Sequence, residues 1–167
     1  MKKIIFALCF SMVALTVFAQ KVGHVNTGLL LEAMPEVKAA DTQLESLQKK
    51  LMSEGETMVK AFQKEYQETV AEVNSGSMTP KQQQDKQQVL QQKQQQIQAF
   101  EVKVQEDILK EREKLLKPIL DKVDAAIQAV GKEGGYLFIF DTSVPNVILF
   151  AEEPLDLTEE VRAKLGL

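Results

Sequence analysis

The chain has almost no cysteine. Its one cysteine, Cys9, lies in an apolar run near the amino terminus, so no disulfide framework is available to hold a fold together. Tryptophan is missing, and histidine occurs once, at His24. A lone histidine without cysteine partners cannot supply a metal set, and it reads as a strand residue. There is no Gly-rich phosphate loop and no Ser/His/Asp arrangement suited to nucleophilic catalysis. The acids are scattered along helix faces at solvated positions. These absences argue against an enzyme and against any cofactor or metal. Packing or assembly must hold the protein together.

Residues 1–19 stand apart. Lys2 and Lys3 are followed by an apolar run, Ile4 to Phe18, broken only by Ser11 and Thr16. Val17-Phe18-Ala19 then offers small residues at the −3 and −1 positions of a cleavage site. This pattern predicts a secretory signal peptide cut after Ala19, with Gln20 as the first mature residue. The run is short for a membrane span, and no stop-transfer segment follows. Without Lys2 and Lys3, the remaining 18 basic residues face 24 acids, a net charge of −6. An acidic chain is a poor general binder of nucleic acid or anionic lipid.

The bulk of the chain is helical. Glu36 to Val73 and Lys81 to Val130 predict two long helices. The turn residues at 74–80, Asn-Ser-Gly-Ser-Met-Thr-Pro, join them into a hairpin. At about 1.5 Å rise per residue the outgoing helix is about 55 Å long. Val37, Ala40, Leu44, Leu47 and Leu51 are spaced 3, 4, 3 and 4, a heptad seam. Glu54-Gly55 interrupts it, and the pattern resumes as Met58, Phe62, Tyr66 and Val70, spaced by 4. Gly55 weakens a helix relative to alanine, so Glu54-Gly55 reads as a flexible point. Eleven of the eighteen residues from Lys81 to Gln98 are Gln, and only Val89, Leu90 and Ile97 are apolar; this stretch offers little core and reads as a solvated face. Pro118 predicts a kink in the returning helix. Its seam ends at Val130, before Gly131 and Gly134-Gly135.

Short strands flank the hairpin. Val22 to Asn26 carries β-branched residues on alternate positions. Asn26 or Thr27 can cap a brief helix to Ala33, and Pro35 suits the first turn of the long helix. Tyr136 to Phe140 and Val147 to Ala151 are continuous apolar runs of strand length, as for strands buried on both faces. Thr158 predicts the cap of a terminal helix that ends at Gly166. The predicted class is α+β and mostly α. A coiled-coil hairpin arm, residues 36–117 with its tip near 74–80, stands on a small β-containing body, residues 20–35 and 118–167. One strand face can pack on the returning helix. The other has nothing in the chain to cover it, so self-association is expected. Val22, Val25, Leu137, Ile139, Val147 and Leu149 are the candidate oligomerisation residues. Met58, Phe62, Tyr66, Met78 and Val89, thinly sheltered on the arm, are the candidates for adaptable apolar binding.

This order of parts resembles the OmpH/Skp family of periplasmic chaperones. The residues that carry the resemblance are Val22 to Thr27, Leu30 and Met34-Pro35-Glu36, then Tyr136 to Asp141, Val147 to Ala151 and Asp156-Leu157-Thr158. The resemblance implies a jellyfish-like homotrimer in the periplasm. Such a trimer would act as an ATP-independent holdase, taking unfolded outer-membrane or secreted proteins between its arms. It departs from the family's basic members: Lys49 to Lys103 holds eight Lys and seven acids, so lipopolysaccharide binding is not carried over. The alternative is a structural or adaptor coiled-coil protein of the cell envelope. Adaptor hairpins are flanked by substantial β domains, and the flanks here are short.

Overall fold

The computed structural model describes residues 21–146 and 148–167. The expected signal peptide at 1–19 and Val147 lie outside the described residues. Strand β1, Lys21–Val25, leads into helix α1, Thr27–Ala33, and then α2, Pro35–Asn74. Helix α3 runs over Pro80–Gly134, strand β2 over Tyr136–Asp141, and the terminal helix α4 over Thr158–Leu165. A short 3-10 turn, Glu153–Leu155, precedes α4. Two compact units result: Met34–Leu120, and the described residues up to Ala33 together with Asp121–Leu167.

The helix ends follow local chemistry. Asn26 caps α1, its Oδ1 accepting the Leu29 N–H at 3.1 Å. Pro35 opens α2, where a missing N–H is no loss. At the tip, Gly76 takes φ +69° in the turn. Thr79 and Gln82 then form a capping box: the Thr79 N–H donates to Gln82 Oε1 at 2.8 Å, and the Gln82 N–H donates to Thr79 Oγ1 at 3.3 Å. The returning helix therefore starts at Pro80, one residue before its predicted start, and passes through Pro118 without a break in its helical span. It ends at Gly134. Thr158 is not the cap of α4 as predicted; Leu157 holds that position. The Thr158 hydroxyl instead accepts the Asn26 N–H at 3.0 Å, while Asp156 Oδ1 accepts the Thr158 N–H at 2.9 Å.

Strands β1 and β2 pair in parallel, Val22 opposite Phe138 and Val25 opposite Asp141. Parallel neighbours need a crossover, and here the whole hairpin is that crossover. The other edge of β1 is used by the segment before α4, with Leu157 N–H donating to the His24 carbonyl at 2.8 Å. An added Cβ on Gly23 would stand 2.5 Å from Leu157 Cδ1, so only glycine lets Leu157 close over the strand. Val25, Leu157 and Val161 are almost fully buried in this unit.

Of the predicted strand Val147–Ala151, the described residues 148–151 have no strand geometry. A strand exists only against a neighbour. Among the described residues, β1 is occupied on both edges, and β2 pairs only with β1. Leu149 and Phe150 are left 86% and 83% exposed.

Candidate functional site

Helix α2 shields a regular set of positions. Its buried or half-buried residues are Val37, Ala40, Leu44, Leu47, Leu51, Gly55, Met58, Phe62, Glu65 and Thr69. The steps alternate 3 and 4 except for one doubled step of 4 through Gly55. Such an inserted four residues locally unwinds a left-handed supercoil and lets the seam continue. Gly55 is thus a packing position rather than a break: an added Cβ would meet Phe100 Cε1 of α3 at 3.4 Å.

The expected seam Met58, Phe62, Tyr66, Val70 is corrected beyond Phe62. Each step of four advances about 40° around a helix, so three in a row drift about 120° off the seam. Glu65 and Thr69 hold the inward positions instead, and Tyr66 and Val70 stand 53% and 40% exposed. The Thr69 hydroxyl is satisfied by the Glu65 carbonyl at 2.7 Å. The Glu65 carboxylate is bridged from α3 by Lys93 and by Lys86, the latter at 3.7 Å. The hydrogen bond from Lys93 holds the Glu65 carboxyl below its usual range, and Lys86 adds to the effect. A polar layer in an otherwise apolar seam specifies register at some cost in stability.

The other arm candidates separate into two places. Met58 and Phe62 are half-buried, and the Phe62 and Tyr66 rings stack with centroids 6.3 Å apart. Met78 and Val89 belong to the tip, where they line an open cavity of about 500 Å³ with Glu72, Ser77, Gln82, Asp85 and Lys86. The structure does not bring these five candidates into one site. Sequence reasoning missed Val59 and Val73, which are 36% and 39% exposed and share a face of α2 with Tyr66 and Val70. Their heptad spacing from Tyr66, seven residues either way, was the available signal.

In the strand-bearing unit the candidates also divide. Val25 is 2% exposed and belongs to the protomer's own core, so it is not free for a partner. It lies opposite Asp141 on the sheet face that carries Ile139, and an added Cβ on Gly131 of α3 would stand 3.2 Å from Ile139 Cδ1. Strand residues alternate faces, so one face packs on the end of α3. The opposite face carries Val22, His24, Phe138 and Phe140, with Val22 and His24 half-buried. Phe138 and Phe140 are exposed, their rings 6.2 Å apart, and Leu137 is 53% exposed. Neither phenylalanine was among the predicted contacts, although both lie in the apolar run that drew attention to Leu137 and Ile139. His24 keeps both ring nitrogens out of solvent without a hydrogen-bond partner, its Nδ1 3.9 Å from Asp156 Oδ1. Among the described residues no cluster of three or more His, Cys, Asp or Glu could hold a metal ion, and no helix is long and apolar enough to cross a membrane.

Comparison with known proteins bears on what such surfaces serve. The family model for outer membrane protein (OmpH-like) matches residues 21–165. Among solved structures, the chain is similar to a candidate outer membrane chaperone (OmpH-like) from Caulobacter crescentus CB15. The TM-score is 0.73 at 18% identity, over 87% of this chain and 83% of that one. The match at this identity concerns the fold. Among curated proteins the sequence finds no significant match.

Proposed function

Because the chain belongs to the OmpH-like outer membrane protein family, we propose that it is an ATP-independent holdase for unfolded outer-membrane or secreted proteins. The observation that carries this proposal is apolar surface left outside the hairpin seam, with Tyr66 and Val70 exposed while Glu65 and Thr69 face inward. Apolar side chains in water on a long polar arm suit many weak contacts with an unfolded chain. The likeness in fold to a candidate outer membrane chaperone supports the same reading.

The working form is a homotrimer in the periplasm, released from its signal peptide after Ala19, with three hairpins around a shared space. Exposed Phe138, Phe140, Leu149 and Phe150 support self-association, as does β2, which among the described residues has a neighbour only on its β1 side. The near-neutral arm gives no support to lipopolysaccharide or nucleic-acid binding.

The test is dilution of a denatured β-barrel protein into buffer with and without excess of this protein, followed by light scattering. Suppressed scattering is expected without any nucleotide. Equal precipitation in both samples would sink the holdase reading.

A further inference from the structure

His24 is the only histidine of the chain. On β1 it has a neighbour at each edge: Phe140 of β2 is its register partner, and Asp156, ahead of α4, bridges it on the other side. Both ring nitrogens are out of solvent, and neither has a hydrogen-bond partner. A neutral imidazole carries one donor and one acceptor, so the uncharged ring leaves two buried polar atoms unpaired at a cost in stability. An imidazolium carries two donors, and one of them lies near a carboxylate, Nδ1 being 3.9 Å from Asp156 Oδ1. Oδ1 accepts the Thr158 N–H at 2.9 Å and the Thr158 hydroxyl at 2.5 Å, while Oδ2 accepts nothing from the described residues. Burial pushes the Asp156 carboxyl up, but the bonds from Thr158 and the charge of His24 hold it below its ordinary value, so it is ionised at neutral and mildly acidic pH.

The other charged groups around β1 do not compete for the ring. Lys21 donates to the Gly134 carbonyl at 3.1 Å and lies over the Tyr136 ring of β2. Asp141 of β2 is held by Thr27 and Ser143. On α4, Arg162 pairs with Glu159 at 3.2 Å, and Lys164 pairs with Glu133 of α3 at 2.7 Å. Glu32 of α1, Lys132 of α3, Glu152 and Glu153 beside the 3-10 turn, and Glu160 of α4 are exposed. Among the described residues only Asp156 comes within 4.0 Å of the His24 nitrogens.

The stretch around Asp156 fastens α4 to β1. Leu157 N–H donates to the His24 carbonyl at 2.8 Å, and Thr158 Oγ1 accepts the Asn26 N–H at 3.0 Å. We propose that His24 and Asp156 form a proton-operated latch: on mild acidification the imidazolium closes onto the carboxylate and tightens the hold of β1 on the segment leading into α4. The proposal goes beyond the holdase reading and does not depend on it. Closure needs the ring to move about 1 Å, to the ordinary length of a charge-assisted hydrogen bond. The Asp156 side chain is 45% exposed, so water reaches the pair and lessens the cost of charging the ring. Protonation gives Nδ1 a partner that the neutral ring lacks, so the folded chain holds the proton better than the unfolded one. The added stability is therefore present on the acid side and lost as pH rises. The latch also tethers the downstream end of the segment that carries the exposed Leu149 and Phe150.

The test uses the full mature protein and two variants. Asp156→Asn removes the charge but keeps an oxygen for the Thr158 donors, and His24→Gln removes the titrating ring. Histidine is the side chain whose charge ordinarily changes between about pH 5 and 8, so the single His24 makes the window clean. Hydrogen exchange at the Leu157 amide reads the latch, and thermal melts read the fold. From about pH 7.5 to 6 the parent is expected to gain about fivefold in Leu157 protection factor and about 3 °C in melting temperature relative to either variant. In both variants the protection factor is expected to stay within about twofold over the same interval. Helicity checks that each variant folds, and if His24→Gln does not, Asp156→Asn and the parent's own profile decide. Constant or falling Leu157 protection in the parent on acidification overturns the proposal. An equal rise in a folded variant also overturns it, because the gain then does not come from this pair.

Discussion

Asp141 sits at the end of β2 and accepts four hydrogen bonds, from the N–H and hydroxyl of Thr27 and from the N–H and hydroxyl of Ser143. Burial pushes its carboxyl up, but the bonds from Thr27 and Ser143 outweigh that and hold it below the ordinary value of 3.8. Asp156 is lowered in the same way, burial being outweighed by the bonds from Thr158. A carboxyl lowered in the folded state stabilises the fold fully above the ordinary value. That contribution is lost as pH falls through the folded value. Asp141→Ala is therefore expected to cost about 2 kcal/mol at neutral pH, since hydrogen bonds to a charged group are involved. The gap to the parent should shrink in urea melts below about pH 4. A gap that stays constant down to about pH 3 would show that the charge is not what matters. Nothing local signalled this cluster, because Thr27 and Asp141 are separated by the whole hairpin. The same is true of Gly23 and Leu157.

Helix α2 shows how far periodicity can be trusted. The 3-4 spacing from Val37 to Leu51 predicted inward positions that are buried or half-buried in the structure. Beyond Phe62 the apolar pattern and the inward face part company, because apolar residues at steps of four drift around the helix while the partner helix stays put. Gly55 itself packs near Phe100 with room for a methyl group at ordinary contact distance. Gly55→Ala should then raise stability by about 1 kcal/mol through helix propensity. Thermal melts of the parent and the variant check it, and a lower melting temperature in the variant would mean that the Phe100 ring needs the space. The capping box at the tip was legible as Thr79-Pro80-Lys81-Gln82, a pattern of Thr with Gln three residues on.

Across the whole molecule, the exposed apolar side chains of the strand-bearing unit set the expectation of assembly. Phe138→Lys combined with Phe140→Lys removes two exposed aromatics while leaving Val25, Leu157 and Val161 in place. Native mass spectrometry is expected to show a multiple of the protomer mass for the parent and a shift to lower mass for the variant. A parent that runs as a folded monomer at micromolar concentration would refute self-association. The sequence by itself determined the hairpin and its two long helices. It also determined a cap at Asn26 or Thr27, the helix end at Gly166, and the flanking strands β1 and β2. These depend on periodicity and turn chemistry carried within a few neighbouring residues. Tertiary structure alone decided that Glu65 and Thr69 displace Tyr66 and Val70 from the seam, since that depends on where the partner helix lies. It also decided that Val25 belongs to the protomer's core and that residues 148–151 form no strand in the single chain. A strand's hydrogen bonds need a neighbour, and no apolar run can state whether one is present.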